Sequence, residues 1–163
     1  MDLGISGKTA LVSASSAGLG FASALALAES GCKTVISGRN EERLMQAASK
    51  IPNSIPITAD VSTVKGSQAL VQDAKSQLGT SIDILITNAG GPPTGTFAST
   101  DVEQYLTAIE LNLMSVVAMC KETVPDMQEK KWGRVLAITS ISVRQPIPNI
   151  MLSNTARAGV TGF

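Results

Sequence analysis

Histidine is absent from the 163 residues. That one gap removes every imidazole-based triad, metal site and proton shuttle. Aromatic residues make up only 3% of the chain, so Ala, Val, Leu and Ile must fill any core. Neither sign of charge is in excess, with 13 Lys plus Arg against 13 Asp plus Glu. A balanced chain offers no footprint for nucleic acid and no polybasic patch for a membrane. Cysteine is scarce: Cys32 and Cys120 lie in apolar surroundings without metal-ligand spacing. They read as reduced core thiols of a cytosolic protein, and no metal is expected. Long apolar runs are missing too. The longest, residues 19–28, is too short to span a bilayer and ends at Glu29. The opening Met1-Asp2-Leu3-Gly4 lacks a basic leader region, so a soluble cytoplasmic protein is expected. There is no repeat, low-complexity tract or linker.

What is present is a hydrophobic fraction of 44% in a length suited to one compact domain. The pattern alternates strand and helix with short connections. Residues 8–14 (KTALVSA), 33–37 (KTVIS), 55–59, 82–87 (IDILIT) and 134–139 (RVLAIT) predict five strands. Such nearly continuous apolar runs suit strands covered on both faces, as in a parallel sheet between helices. Helices are predicted over 18–30, from Asn40 to near Lys50, over 62–78, over 101–128 and from about Asn149 to Phe163. Gly31 and Gly79 are natural stops, Asn40 is a natural cap, and Pro125 is expected to kink or shorten the last turn of its helix. Alternation of this kind implies right-handed βαβ crossovers and ligands at the carboxyl ends of the strands. The loops after each strand are therefore the candidate site.

The first of these reads Ser13-Ala14-Ser15-Ser16-Ala17-Gly18-Leu19-Gly20, between a strand and a helix. Gly18 and Gly20 allow close approach of a pyrophosphate, and the helix start supplies N–H groups and a positive dipole. With two glycines rather than three, the loop alone is weak evidence and is also readable as a tight turn without ligand. Asp60-Val61 follows the third strand, Asn88-Ala89-Gly90 follows the fourth, Leu111-Asn112-Leu113 lies on the long helix, and Ser140 follows the fifth strand. In combination and order these motifs resemble the short-chain dehydrogenase/reductase family over the whole chain. Its members closest in pattern are 3-oxoacyl-acyl-carrier-protein reductases. The fold the resemblance implies is a Rossmann-type doubly wound parallel sheet, α/β in three α/β/α layers. The same resemblance makes Ser13, Ser15, Ser16, Gly18, Leu19, Gly20, Asp60, Val61, Asn88, Ala89 and Gly90 candidate cofactor contacts. It makes Ser140 the group that polarises the substrate oxygen and Asn112 the holder of a relay water.

The chain departs from the family where the proton chemistry belongs. The family's first loop glycine is Ala14. Its Tyr-x-x-x-Lys motif, with Tyr 13 residues after the serine, falls on Ser153 and Arg157 in unbroken register. A serine hydroxyl is a far weaker acid than a phenol of pKa about 10 and is shorter, so it does not reproduce the general acid. Arg157 keeps the positive charge and the capacity to bond a ribose, with different geometry. The single tyrosine, Tyr105, reads as a packing residue, as do Met114, Met119 and Met127. Arg144 reads either as solvated or as a contact for an anionic substrate group.

The second strand ends in Ser37-Gly38-Arg39-Asn40, without the acid that bonds a free ribose 2′-OH. Arg39 suits a 2′-phosphate, so NADP(H) is expected over NAD(H), which remains possible. The expected activity is hydride transfer on a carbonyl or alcohol such as a 3-oxoacyl thioester. Ser153 and Arg157 leave open a catalytically impaired nucleotide-binding protein acting as sensor or partner subunit. A scaffold without cofactor is disfavoured by the intact loops. The resemblance further implies two strands and a substrate loop beyond Phe163. Residues 1–163 are accordingly expected to be one domain at the start of a longer chain, lacking the sheet's last strands. A homo-oligomer, dimer or tetramer, is expected with the helices 101–128 and 149–163 at its interface.

Overall fold

The computed structural model describes residues 3–163. Five strands, β1 (Thr9–Val12), β2 (Lys33–Gly38), β3 (Ile55–Thr58), β4 (Ile84–Thr87) and β5 (Arg134–Ala137), form one sheet in the order β3-β2-β1-β4-β5. Every pairing is parallel. Helices α1 (Gly18–Glu29), α2 (Glu41–Ala48), α3 (Val64–Leu78), α4 (Val102–Ile109), α5 (Ser115–Glu129) and α6 (Met151–Gly162) connect or follow the strands. Strand order reverses between β1 and β4, which opens a crevice above that pair.

The period of two along the strands sorts side chains into two layers. Leu11, Val35 and Leu85 pack with Leu70, Val71 and Ala74 of α3 and with Met119 and Cys120 of α5. Ala10, Val12, Ile36, Ile84 and Ile86 point to the other face and pack with Ala24 of α1 and with Leu44 and Ala47 of α2. Both faces of the central strands are thus sealed, which is why β1 and β4 read as unbroken apolar runs. The result is the doubly wound, three-layer arrangement expected. Both cysteines are free and buried, and no cluster of three metal-ligating side chains occurs among the described residues. No described helix is long and apolar enough to cross a membrane.

Element ends follow local chemistry. The Asn40 side chain accepts from Arg43 N–H at 2.8 Å and starts α2; Thr63 accepts from Gly66 N–H and starts α3. Gly79, at φ 70°, ends α3. Two features of the long helix differ from expectation. A π-helical turn, Glu110–Met114, separates α4 from α5, with Asn112 at its centre. And Pro125, expected to kink or shorten the last turn, lies inside α5, which runs unshortened to Glu129. The last turn is held from outside, by the buried Met127 and by the 2.7 Å pair Lys75–Asp126. Tertiary contact here outweighs the N–H bond that proline removes.

At the opposite end of the sheet from the crevice, Asp83 holds three elements together. Its carboxylate accepts from Thr9 N–H (3.1 Å) and Thr9 Oγ (3.2 Å) at the start of β1, and from Lys130 Nζ (2.5 Å) after α5. Burial pushes the Asp83 carboxyl up, but the Lys130 and Thr9 bonds outweigh it and hold it below its ordinary value. Because the folded-state pKa is depressed, this contribution is complete above the unfolded value of about 3.9 and is lost as pH falls through the folded value. Asp83→Asn should therefore cost about 1–3 kcal/mol at neutral pH. Urea midpoints of the two proteins should converge only in acid, below the ordinary carboxylate range. A gap that persisted unchanged through that range would assign the effect to packing.

Candidate active site

The crevice above β1 and β4 is an open cleft of about 620 Å³. Four strand-end loops build it: Ala14, Ser16 and Gly18 after β1, Arg39 after β2, Asp60 and Val61 after β3, and Asn88, Ala89 and Gly90 after β4. Residues 88–90 and 16–18 face each other because the ends of β1 and β4 are stitched together. Ser13 Oγ donates to Asn88 O at 2.7 Å and accepts from Asn88 N–H at 2.8 Å. Asn88 Nδ2 donates to Ala14 O at 2.9 Å. On the other side Ser15 N–H donates to Ser37 O (2.7 Å), while Ser15 Oγ accepts from Ser37 N–H (3.0 Å).

These bonds place two sequence-predicted contacts away from the cleft lining. Ser13 and Ser15 are fully buried and serve the loop's own backbone. Leu19 also lies outside the lining, 68% exposed on the first turn of α1. Gly20 lies beneath the loop. A Cβ there would meet Ala14 O at 2.7 Å and Asn88 Nδ2 at 2.8 Å, so glycine lets α1 sit tight against the β4 end. Gly18 differs: its φ is 61° and a Cβ would meet nothing, leaving bare backbone facing the cleft. Ala14 adopts φ 45°, a left-handed conformation that carries about 1–2 kcal/mol of strain for a residue with a Cβ.

The charged rim is made by Arg39 and Asp60. Ser62 N–H donates to Asp60 Oδ1 at 3.0 Å, and this bond, with lesser help from the Ser62 hydroxyl and Arg39, holds the carboxyl below its ordinary value against opposing burial. The cleft also takes in Arg43, Ser62, Thr107 and Leu111, which sequence reasoning did not single out. The signal for two of them is spacing. Thr107 and Leu111 stand one turn apart on the face beside Asn112.

The residue-by-residue pattern has a family counterpart. The family model described as short chain dehydrogenase matches residues 8–163. The chain belongs to this family. Among curated relatives of this chain are the oxidoreductase YvaG of Bacillus subtilis and the ketoacyl reductase HetN of Nostoc. YvaG is 32% identical over 152 residues, covering 90% of this chain and 56% of that protein. HetN is 30% identical over 160 residues, covering 96% and 55%. The L-sorbose reductase of Gluconobacter frateurii, solved with NADPH and L-sorbose, superposes with a TM-score of 0.93 at 32% identity, over all of this chain and 64% of that one. The chain spans about half the length of the curated relatives it matches.

The remaining candidates lie around α6, which packs on α4, on the π-helical turn and on the short turn Ile141–Val143 after β5. Asn112 is buried; its Nδ2 donates to Gly90 O at 2.9 Å, and its Oδ1 has no partner. Ser140 caps the Ile141–Val143 turn, its Oγ accepting from Ser142 N–H at 3.1 Å. Ser153 is half-buried in the first turn of α6. Arg157 donates from Nη1 to Ile138 O at 2.7 Å and weakly to Thr139 O at 3.5 Å, and burial lowers the guanidinium's pKa. Tyr105 packs on the Ala108–Leu152–Ala156 cluster between α4 and α6.

The two loop glycines separate on substitution. Gly20→Ala should lower stability by about 1–3 kcal/mol, since the new methyl meets backbone and α1 must move. Gly18→Ala should cost roughly 1 kcal/mol, the left-handed penalty less the glycine entropy regained. Chemical denaturation ranks the pair, and a Gly18 variant less stable than the Gly20 variant would contradict this division of roles.

Proposed function

We propose that this chain is the nucleotide-holding domain of an NADP(H)-dependent oxidoreductase acting on a carbonyl or alcohol, such as a 3-oxoacyl thioester. The observation that carries the reading is the cleft at the strand-order reversal, which joins bare Gly18 backbone to a rim bearing Arg39 and Arg43. The residues fit such a ligand. The opening of α1 would offer N–H groups and helix dipole to a pyrophosphate, and no Cβ at Gly18 would obstruct it. Asp60 and Val61 would flank the adenine, and Asn88-Ala89-Gly90 would line the wall beside it. At the end of β2, Arg39 would meet the ribose with a guanidinium instead of a carboxylate. A bound nicotinamide supplies the hydride.

This chain's own groups would act on the substrate oxygen and on water. Ser140 would donate a hydrogen bond to the carbonyl oxygen. Asn112 Oδ1, buried and without a partner, is an acceptor suited to a water, while Nδ2 holds Gly90. Ser153 stands where the resemblance puts the phenolic acid. That substitution favours a second reading, a catalytically impaired nucleotide-binding subunit or sensor. Arg157, with Nη1 on Ile138 O, holds α6 to the end of β5 in either case.

Cofactor choice tests the first reading. NADP(H) should bind about 10–100-fold more tightly than NAD(H), the worth of one charge-assisted bond set to a phosphate. Arg39→Ala should remove most of that difference. Equal affinities in titration would overturn the assignment.

Turnover separates the two readings. NADPH binding should persist while ketone reduction runs about 10²–10⁴-fold below a phenol-assisted rate. A Ser153→Tyr/Arg157→Lys double variant should gain activity. Full turnover in the unmodified protein, lost in Ser140→Ala but indifferent to Ser153→Ala, would mean that another group delivers the proton.

A further inference from the structure

Beside the cofactor cleft lies a second cavity of about 340 Å³. Small-molecule sites begin at roughly 300 Å³ and are mostly apolar with a few convergent polar groups. This one has that make-up. Pro92 and Pro93 wall it from the loop after β4, Ala108 and Leu111 from the long helix, and Leu152 from α6. One lining residue comes from the other half of the sheet. Arg39 follows β2, and it lines both this cavity and the cofactor cleft. Gly91, Thr107 and Leu111 are also common to the two, so the spaces meet edge to edge.

The polar groups of the side cavity are donors. Arg39 is exposed; it feels the charge of Asp60 across the rim but makes no hydrogen bond or close ion pair among the described residues. Gln104 Oε1 accepts from Asp101 N–H at 2.8 Å at the start of α4, which leaves the Nε2 donors free. The Thr107 hydroxyl bonds nothing among the described residues. No Asp or Glu lines the cavity. An apolar chamber whose mouth offers a guanidinium and neutral donors, without any acid, suits a ligand with an apolar body and one carboxylate. The planar guanidinium matches such a group in two parallel bonds.

We propose that the side cavity binds a small apolar carboxylate through Arg39, and that this ligand competes with NADP(H) but not with NAD(H). The competition rests on the reading of Arg39 as the group that meets the 2′-phosphate. A guanidinium drawn to a carboxylate in the side cavity is withdrawn from the phosphate in the cleft, and two anions on one cation repel each other. NAD(H) carries no 2′-phosphate and loses nothing. The coupling is reciprocal, so NADPH weakens the carboxylate by the same factor.

Octanoate and neutral 1-octanol serve as probes, titrated calorimetrically into the protein with and without nucleotide. Octanoate should bind about ten-fold or more tightly than the alcohol. At saturation it should raise the Kd of NADPH about ten-fold and leave that of NADH unchanged. Gln104→Glu keeps the carbonyl oxygen that caps α4 and places an acid in the side cavity alone. It should weaken octanoate about ten-fold or more without altering NADH affinity. The comparisons in the unmodified protein do not depend on any variant folding. Absent octanoate binding, or equal binding of acid and alcohol, overturns the proposal. So does octanoate that weakens NADPH and NADH alike, because the acid then occupies the nucleotide cleft, and so does a Gln104→Glu protein that binds octanoate undiminished. Equal NADPH and NADH affinities without octanoate overturn the NADP(H) reading and the competition with it, while the acid–alcohol comparison and the Gln104 variant still decide whether the cavity takes a carboxylate.

Discussion

The reciprocal bonding between Ser13 and Asn88 is the constraint on which the site depends. Parallel strands β1 and β4 pair along their length, but past Val12 and Thr87 the ladder hands over to side chains. One serine hydroxyl serves as both donor and acceptor to the Asn88 backbone, and the Asn88 amide reaches back to Ala14 O. Ser13 Oγ, the Asn88 main chain and Ala14 O are thereby answered, and the loop between β1 and α1 gains a fixed floor. Ser15 and Ser37 do the same toward β2. The cleft is open above because the sheet's end is closed below.

Much of this architecture was legible in the amino-acid order. The apolar runs of β1 and β4 announce strands sealed on both faces, and Asn40 and Gly79 mark helix ends by local chemistry that needs no tertiary context. The strand-end positions of Gly18, Asp60 and Asn88 locate the cleft for the same reason. Other features depend on distance. Whether Ser13 or Ser16 faces a ligand is decided by the alternation at a strand end and by what β4 offers across the gap. Local sequence does not contain that information. The π-helical turn has no local signature, since Glu110–Met114 reads as ordinary helix and is set by the different partners of α4 and α5. Arg43 entered the cleft lining from α2, whose own sequence shows only a solvated first turn.

Family membership and site chemistry carry different weight here. The match over residues 8–163 and the superposition on a reductase solved with NADPH describe a shared frame. Within that frame Ala14 and Arg157 have local roles of their own. Ala14 tolerates a conformation that glycine adopts freely, and Arg157 bonds the end of a strand. The stitching at Ser13 and Asn88 uses the Ala14 carbonyl but neither the Ser153 nor the Arg157 side chain.

The π-helical turn has a consequence for how the chain can change length. In an α-helix each residue advances the face by about 100°, so one added residue rotates everything beyond it. The turn at Glu110–Met114 absorbs one such residue without disturbing either flank. Ala108 still meets α6, and Met119 and Cys120 still meet the sheet. Removing a single residue there would allow regular helix to form, but at the expense of the phase between those two packed faces. The segment that presents Asn112 is therefore a phase adjuster, and the orientation of its side chain is set by residue number as much as by residue type.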